Sequence, residues 1–452
     1  MASDKFARLW HRRLGGGAAP LGQASMRLLI LAAAVACDAL PPLDEHVAAI
    51  QSHLRAAAAA RPPRSTWRTC VVSAAEPCAL ADLPVDESVL VYPGGATGCL
   101  DGSPYAFQVV RGDERKLWFN FEEGGACWDA LSSAARLCTQ SVDGGYALGA
   151  GLFDRARADN PLRAHTLVTA LYCSGDAFVS NNKTQPWRAA NGAVARQAGQ
   201  QNVMATIDWA RAQPALAAPL ASLYVAGQSA GALGAQAWSA ALLALFPAAA
   251  QTVMPDSYLG IFPEGSQQLV LNATWPVCDG GPLEGFMAPR TVGLCRAGNL
   301  TLQAWMVDAM AARPDVPYGW VQSKYDETQI SFYVAIAATL RIAPAALGPA
   351  ACYRDANDIF VRYEAAPNAL HFFVQGGQHT YGERDLVYTT TPAGAHGASG
   401  PALVEWIANM TANGAQRGTT ECYGDLKSEG DWSGTDYCAS ELAGKVFPPH
   451  LN

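Results

Sequence analysis

The stretch Ser222-Leu-Tyr-Val-Ala-Gly-Gln-Ser-Ala-Gly-Ala-Leu-Gly-Ala-Gln-Ala-Trp238 constrains this chain more than any other. Leu223–Ala226 reads as a short buried strand, and Ala230 to about Leu245 is rich in Ala and Leu without proline, as a helix requires. Between them, Gly227-Gln228-Ser229-Ala230-Gly231 has the G-x-S-x-G spacing. Such a turn holds its serine in strained backbone at the top of a sheet, with glycines to either side where a side chain would collide. The helix N-terminus behind it presents free N–H groups and a positive dipole end to a developing anion. Ser229 is therefore the candidate nucleophile, and an ordinary serine in a tight strand–helix turn is the alternative.

The surrounding pattern alternates. Strands are expected at Tyr105–Val110, Lys116–Phe121, Thr166–Tyr172, Leu223–Ala226, Thr252–Asp256, Tyr318–Gln322 and Leu370–Val374. Helices are expected between most of them, including Ala189–Ala212, Ala230–Leu245 and Glu327–Leu340. Strands alternating with helices imply an α/β fold with a mostly parallel central sheet covered by helices on both faces. Half of the 452 residues are hydrophobic and only 15% charged, enough apolar material for a large core. The formal net charge of −8 leaves no basic footprint, so no nucleic-acid partner is expected.

Before the first strand, Leu28–Ala36 is an apolar run directly after Arg27, long enough for the core of a targeting signal and too short to span a bilayer. Residues 1–39 are read as a signal peptide or N-terminal targeting segment, with Met26 a possible start and cleavage near Ala36 or Ala39. Residues 40–66 read as a helix running through Ala56–Ala60 into a linker at Pro62-Pro63, and residues 67–452 as a single catalytic domain. No other stretch approaches transmembrane length. The 12 cysteines include no C-x-x-C, so no metal site is expected. With the sequons at Asn182, Asn272, Asn299 and Asn409, they point to an oxidising secretory route, hence a secreted, disulfide-stabilised glycoprotein. Cys127 with Cys138, Cys278 with Cys295, and Cys422 with Cys438 would each close a short loop.

A nucleophilic serine needs a base and a group to orient it, in chain order Ser, Asp/Glu, His for this strand–turn–helix arrangement. His379, in Gln375-Gly-Gly-Gln-His-Thr-Tyr381, follows a strand end in a glycine-rich loop. His371 lies inside an apolar strand, His396 in a Gly/Ala loop, and His450 at the C-terminus. Asp326, after the strand ending near Gln322, is the candidate acid, with Glu327 and Asp256 as competitors. Ala230 N–H and the loop Phe121-Glu-Glu-Gly-Gly-Ala-Cys-Trp128 supply candidate oxyanion donors, Gly125 and Ala126, with Gly124 allowing the turn.

Cys99-Leu-Asp-Gly-Ser-Pro104, Phe121-Glu-Glu-Gly-Gly-Ala-Cys-Trp-Asp129, Leu171-Tyr-Cys-Ser-Gly-Asp176, Gly227-Gln-Ser-Ala-Gly231 and Tyr325-Asp-Glu-Thr-Gln329 occur in this order. Together they resemble the pectin acetylesterase/Notum family of serine carboxylesterases, over roughly Cys99 to His379. The resemblance implies an α/β-hydrolase fold, no cofactor, and a triad of Ser229, Asp326 and His379. It also implies an oxyanion loop at Gly124–Ala126 and a Cys99–Cys173 pair, leaving Cys352 without an obvious partner. Where the family loop has a run of three glycines, Glu123 replaces the first. A carboxylate about 6 Å from an oxyanion, at an effective dielectric of about 20, repels it by about 3 kcal/mol. In an active enzyme Glu123 must therefore point away or be paired with a cation. The expected function is removal of O-acetyl groups from a cell-wall or extracellular polysaccharide by a secreted monomer without stable membrane insertion. Deacylation of a lipidated protein or lipid ester, and a catalytically silent binding module, are the alternatives.

Overall fold

The computed structural model describes residues 43–413 apart from 61–65, 325, 343–348, 364, 375 and 393–399. The expected targeting segment, Cys422 and Cys438 lie outside the described residues. The strands are β1 (Arg68–Val71), β2 (Ser88–Tyr92), β3 (Phe107–Val110), β4 (Asp113–Phe121), β5 (His165–Ala170), β6 (Lys183–Arg188), β7 (Val194–Gln197), β8 (Leu220–Gln228), β9 (Ala248–Asp256), β10 (Tyr318–Ser323) and β11 (Ala369–Val374). Nine of them form one sheet in the order β1-β2-β3-β5-β4-β8-β9-β10-β11. Within this sheet, among the described residues, only the β2–β3 and β3–β5 pairings are antiparallel. The remaining pairs run parallel, as the alternating sequence implied.

Parallel strands covered on both faces read as continuous apolar runs. Leu117–Phe121 of β4 and all six residues of β11 are buried accordingly. One face packs Phe119, Leu223, Trp238 and Trp305, and the other Trp118, Tyr224, Phe372 and Trp406. The longer helices are α1 (Leu43–Ala59), α2 (Gly199–Arg211), α3 (Ala230–Leu245), α4 (Leu302–Ala312), α5 (Glu327–Thr339), α6 (Pro349–Tyr363) and α7 (Leu403–Asn413). Helix α3 starts and ends where its sequence predicts. The helix expected from Ala189 does not: it begins only at Gly199. Residues 183–197 instead form the antiparallel β6–β7 hairpin. Asn191-Gly192 makes the turn, with Gly192 at φ +89° and the Ala189 N–H on the Ala193 carbonyl at 2.9 Å. Asn-Gly is the strongest short-range hairpin signal, and here it outweighs the alanines around it.

Among the described residues four disulfides are formed, Cys70–Cys78, Cys99–Cys173, Cys127–Cys138 and Cys278–Cys295. The pairing implied for Cys99 ties the segment before β3 to the end of β5. Closing a loop of that length in the unfolded chain is worth about 4 kcal/mol in the chain-entropy account. Cys352 is buried as a free thiol. Of the sequons, Asn182, Asn299 and Asn409 are exposed, whereas Asn272 is half-buried and donates its Nδ2 to the Gln268 carbonyl at 2.9 Å.

Candidate active site

The C-terminal ends of β4, β8, β9, β10 and β11 converge, which is where ligands bind in parallel α/β sheets. Ser229 stands between β8 and α3 at φ +54° and ψ −118°, the strained turn its spacing predicts. A Cβ on Gly227 would come within 2.0 Å of the Gly231 carbonyl oxygen, and one on Gly231 within 2.0 Å of the Phe121 carbonyl oxygen. Both glycines are therefore steric necessities. The elbow is pinned to its neighbour strand by the Ser229 N–H on the Asp256 carbonyl at 2.9 Å.

His379 and Asp326 meet across 53 residues: Nδ1 of the imidazole lies 2.7 Å from Asp326 Oδ2. Asp326 is also the N-cap of α5, its Oδ1 accepting the Gln329 N–H at 2.8 Å. Gln329 Nε2 donates to Oδ2 at 2.8 Å, so both carboxylate oxygens are fixed by one helical turn. Sequence reasoning missed Gln329, although Asp-x-x-Gln is a capping-box spacing that points to it. Asp256, a competitor for the acid, instead orders the histidine loop. Its Oδ2 accepts the N–H groups of Tyr381 at 2.8 Å and Gly382 at 2.7 Å, and its Oδ1 the Ser257 hydroxyl at 2.7 Å. His371 lies on β11, packed between Phe360 and Phe373.

His379 Nε2 is buried and has no hydrogen-bond partner among the described residues. It lines the same cavity as Ser229, Ala230 and Gly125. Burial alone would lower the histidine pKa, but the Asp326 carboxylate, with Glu123 and Asp256 behind it, outweighs this and raises it above 6.5. The oxyanion loop departs from expectation at one position. The Ala126 N–H donates to the Leu137 carbonyl at 2.9 Å and is engaged there. Gly125, at φ +70°, and Ala230 line the cavity with no backbone acceptor recorded for their N–H groups among the described residues. They are the candidate donor pair.

Glu123 is buried, 3% exposed, and its Oε2 accepts from His53 Nε2 at 3.2 Å. His53 lies on α1, a helix the sequence suggested without any function. No local motif marks it, because its partners are distant in the chain.

The cavity is a narrow slot of ≈ 50 Å³ walled by Trp128, Tyr258, Phe262, Val270, Trp275 and Phe332. One water needs about 10–15 Å³ on this scale, so the slot admits roughly four water-sized groups. No trio of side chains there could hold a metal: among the described residues the one such cluster is Cys70, Glu76 and Cys78, and its cysteines are bonded to each other.

Two crystal forms of the Wnt deacylase Notum from Drosophila are similar to this chain, and the first shares its fold. The first, at 14% identity, has a TM-score of 0.53 and covers 74% of this chain and 94% of that one. The second, at 15% identity, has a TM-score of 0.48 and covers 74% and 96%. Among curated proteins there is no match. The family profile described as Pectinacetylesterase matches residues 89–343, which include the oxyanion loop, the elbow and Asp326. That span is more than half of the sequence, and the chain therefore belongs to the pectinacetylesterase family.

Proposed function

We propose that this protein is a secreted serine carboxylic-ester hydrolase that removes short acyl groups, acetyl foremost, from a cell-wall or extracellular polysaccharide. Ser229 attacks the ester carbonyl while His379 takes its proton. Asp326 holds the imidazole by Nδ1 and stabilises its charged form. The N–H groups of Gly125 and Ala230 receive the oxyanion, helped by the positive end of α3. The alcohol leaves with the proton from His379, and water, activated by the same histidine, releases the acid from Ser229.

The observation that carries this reading is the 2.7 Å His379–Asp326 contact, with the opposite ring nitrogen unpartnered in the cavity that Ser229 lines. The volume of the slot favours an acetyl group. Its aromatic walls support a second reading, a longer acyl chain from a lipid or lipidated protein, as the deacylase activity named for the Drosophila neighbour suggests. Four disulfides fit a secretory route, and among the described residues no helix is long and apolar enough to cross a membrane.

Hydrolysis of p-nitrophenyl acetate, butyrate and palmitate by wild type and Ser229→Ala tests the proposal. Acetate turnover that falls at least about 10⁴-fold in the variant is the expected result. A preference for palmitate would favour the second reading. No Ser229-dependent turnover of any ester by a folded protein would leave a binding module.

A further inference from the structure

Helix α1 lies ahead of the segment matched by the family profile, yet it is built into the site. Its apolar positions Leu43 and Ile50 are buried. It packs along α5, the helix that Asp326 caps, and His46 Nδ1 lies 3.3 Å from Ser331 Oγ on that helix. Gln51 Nε2 donates to the Ala135 carbonyl at 2.6 Å, tying α1 also to the segment after the oxyanion loop. Docked this way, α1 sets the ring of His53 edge-on against the ring of His379, with centroids 4.7 Å apart and planes at 81°. The same ring reaches Glu123 with Nε2, and its side chain is only 11% exposed. One residue thus touches both the base and the carboxylate that departs from the family loop.

We propose that His53 is a positioning residue of the active site: by donating Nε2–H to Glu123 while packing on His379, it keeps that carboxylate from capturing the base as its imidazolium. The inference rests on the esterase reading above. A buried anion beside an imidazole favours its protonated form, and only the neutral form can accept the proton of Ser229. The charges acting on His379 are acidic: Asp326 at the start of α5, Glu123 after β4 and Asp256 at the end of β9, while Glu383 in the following loop, with Arg384 beside it, interacts with Glu123 and Asp256. Asp326 must stay charged to orient the ring, and Asp256 is held by backbone donors. Glu123 has no such task in the mechanism, and its contact with His53 contains its charge. Losing the donor leaves the carboxylate more basic and freer to approach the imidazolium. In the Nε2–H tautomer His53 donates to Glu123, as a glutamine amide can and a phenyl ring cannot.

Two variants separate this role from packing. His53→Phe keeps a ring on His379 without a donor, and His53→Gln keeps a donor for Glu123 without a ring. Both are compared with wild type, as the full chain, in p-nitrophenyl acetate hydrolysis from pH 5 to 9, with folding checked by thermal melt. The expected result for His53→Phe is an acid limb of kcat/KM displaced upward by about one pH unit, kcat near pH 7 down about tenfold and KM little changed. His53→Gln should restore the wild-type limb. A normal limb in His53→Phe, or an impaired His53→Gln beside a normal His53→Phe, would overturn the proposal in favour of simple packing. If the two variants fail equally with an unmoved limb, it is also wrong. Labelling of Ser229 by a fluorophosphonate, with Ser229→Ala as control, is run alongside. Labelled, Ser229-dependent enzyme with no His53 effect discards only this inference, whereas absence of labelling and of Ser229 dependence discards the esterase reading itself.

Discussion

Asp326 and Glu123 are two carboxylates that act on the same histidine and are held in opposite ways. Asp326 is bonded directly to the ring at 2.7 Å and locked by the backbone and side chain of Gln329, a partner one helical turn away. Glu123 acts on His379 through its charge, and its recorded partner, His53, comes from a helix 70 residues earlier in sequence. Both charges raise the histidine pKa. On Asp326 that charge is useful, because the hydrogen bond also fixes the tautomer and direction of the ring. On Glu123 it brings no orientation, and it lies in the loop proposed to receive the oxyanion. On the mechanism proposed above, His379 takes one fixed carboxylate, and the charge of the other has to be contained.

The largest break in this comparison comes from the fixed partner. Asp326→Asn should lower kcat about 10⁴-fold, because an amide cannot hold the imidazole in the productive tautomer. Asparagine remains a good N-cap, so the melting temperature should barely change, whereas Asp326→Ala loses both roles and about 1 kcal/mol of stability. Activity within tenfold of wild type in Asp326→Asn would remove Asp326 from the triad. The contained partner should behave in the opposite sense. Glu123→Gln takes a negative charge away from both base and oxyanion, and the acid limb of kcat/KM should move down in pH with a gain of up to about tenfold near pH 6. An unmoved limb would mean that Glu123 is electrostatically silent.

The wild-type limb itself has a predicted place. Because the His379 pKa is raised, kcat/KM should climb with pH through a midpoint above 6.5. The stability term has the reverse sense: the interaction favours the protonated ring. It contributes fully below the unfolded value near 6.5 and is lost as pH rises through the folded one. Activity and stability should therefore cross in that window, which melts and rates measured on one pH series would reveal.

The same contrast explains what the sequence disclosed. The elbow, α3 and the strand ends of β4, β8 and β9 are legible because their requirements are local: a buried apolar run, glycines where a Cβ collides, a helix without proline. Asp326 and His379 could be nominated from strand ends and chain order, and the fold brings them together. His53 could not, since a histidine on an alanine-rich helix carries no local signal and gains its role only when α1 docks on α5. The engagement of the Ala126 N–H is hidden from the sequence for a related reason. The bridge that engages its N–H depends on Gly125 pairing across to Cys138, beside the Cys127–Cys138 disulfide, a tertiary event. Strands β1 and β2 went unread for another cause: β1 is four residues long, mostly exposed, and held by pairing with β2 and the Cys70–Cys78 bridge.

The smallest effect tests how far the acidic surroundings of Glu123 extend. Glu383 accepts from the Thr380 hydroxyl and lies 3.3 Å from Arg384 Nε, while its Oε2 is buried without a partner among the described residues. Burial first, then the charges of Glu123 and Asp256, push its carboxyl up to about 8. An unfolded glutamate titrates near 4.3. Between those values the folded chain holds a proton that the unfolded chain has released, so stability falls as pH rises through this window and levels off above it. Glu383→Gln has no such proton to hold. Its melting temperature should match wild type near pH 4, exceed it progressively toward pH 8, and keep a constant margin beyond, with little change in kcat. Combining it with Glu123→Gln sharpens the point. Removing the Glu123 charge lowers the Glu383 pKa and stabilises wild-type Glu383, so the second substitution should yield a smaller margin in that background. Equal margins in both backgrounds would show that the two carboxyls do not share a field, and that the charge of Glu123 is contained before it reaches Glu383.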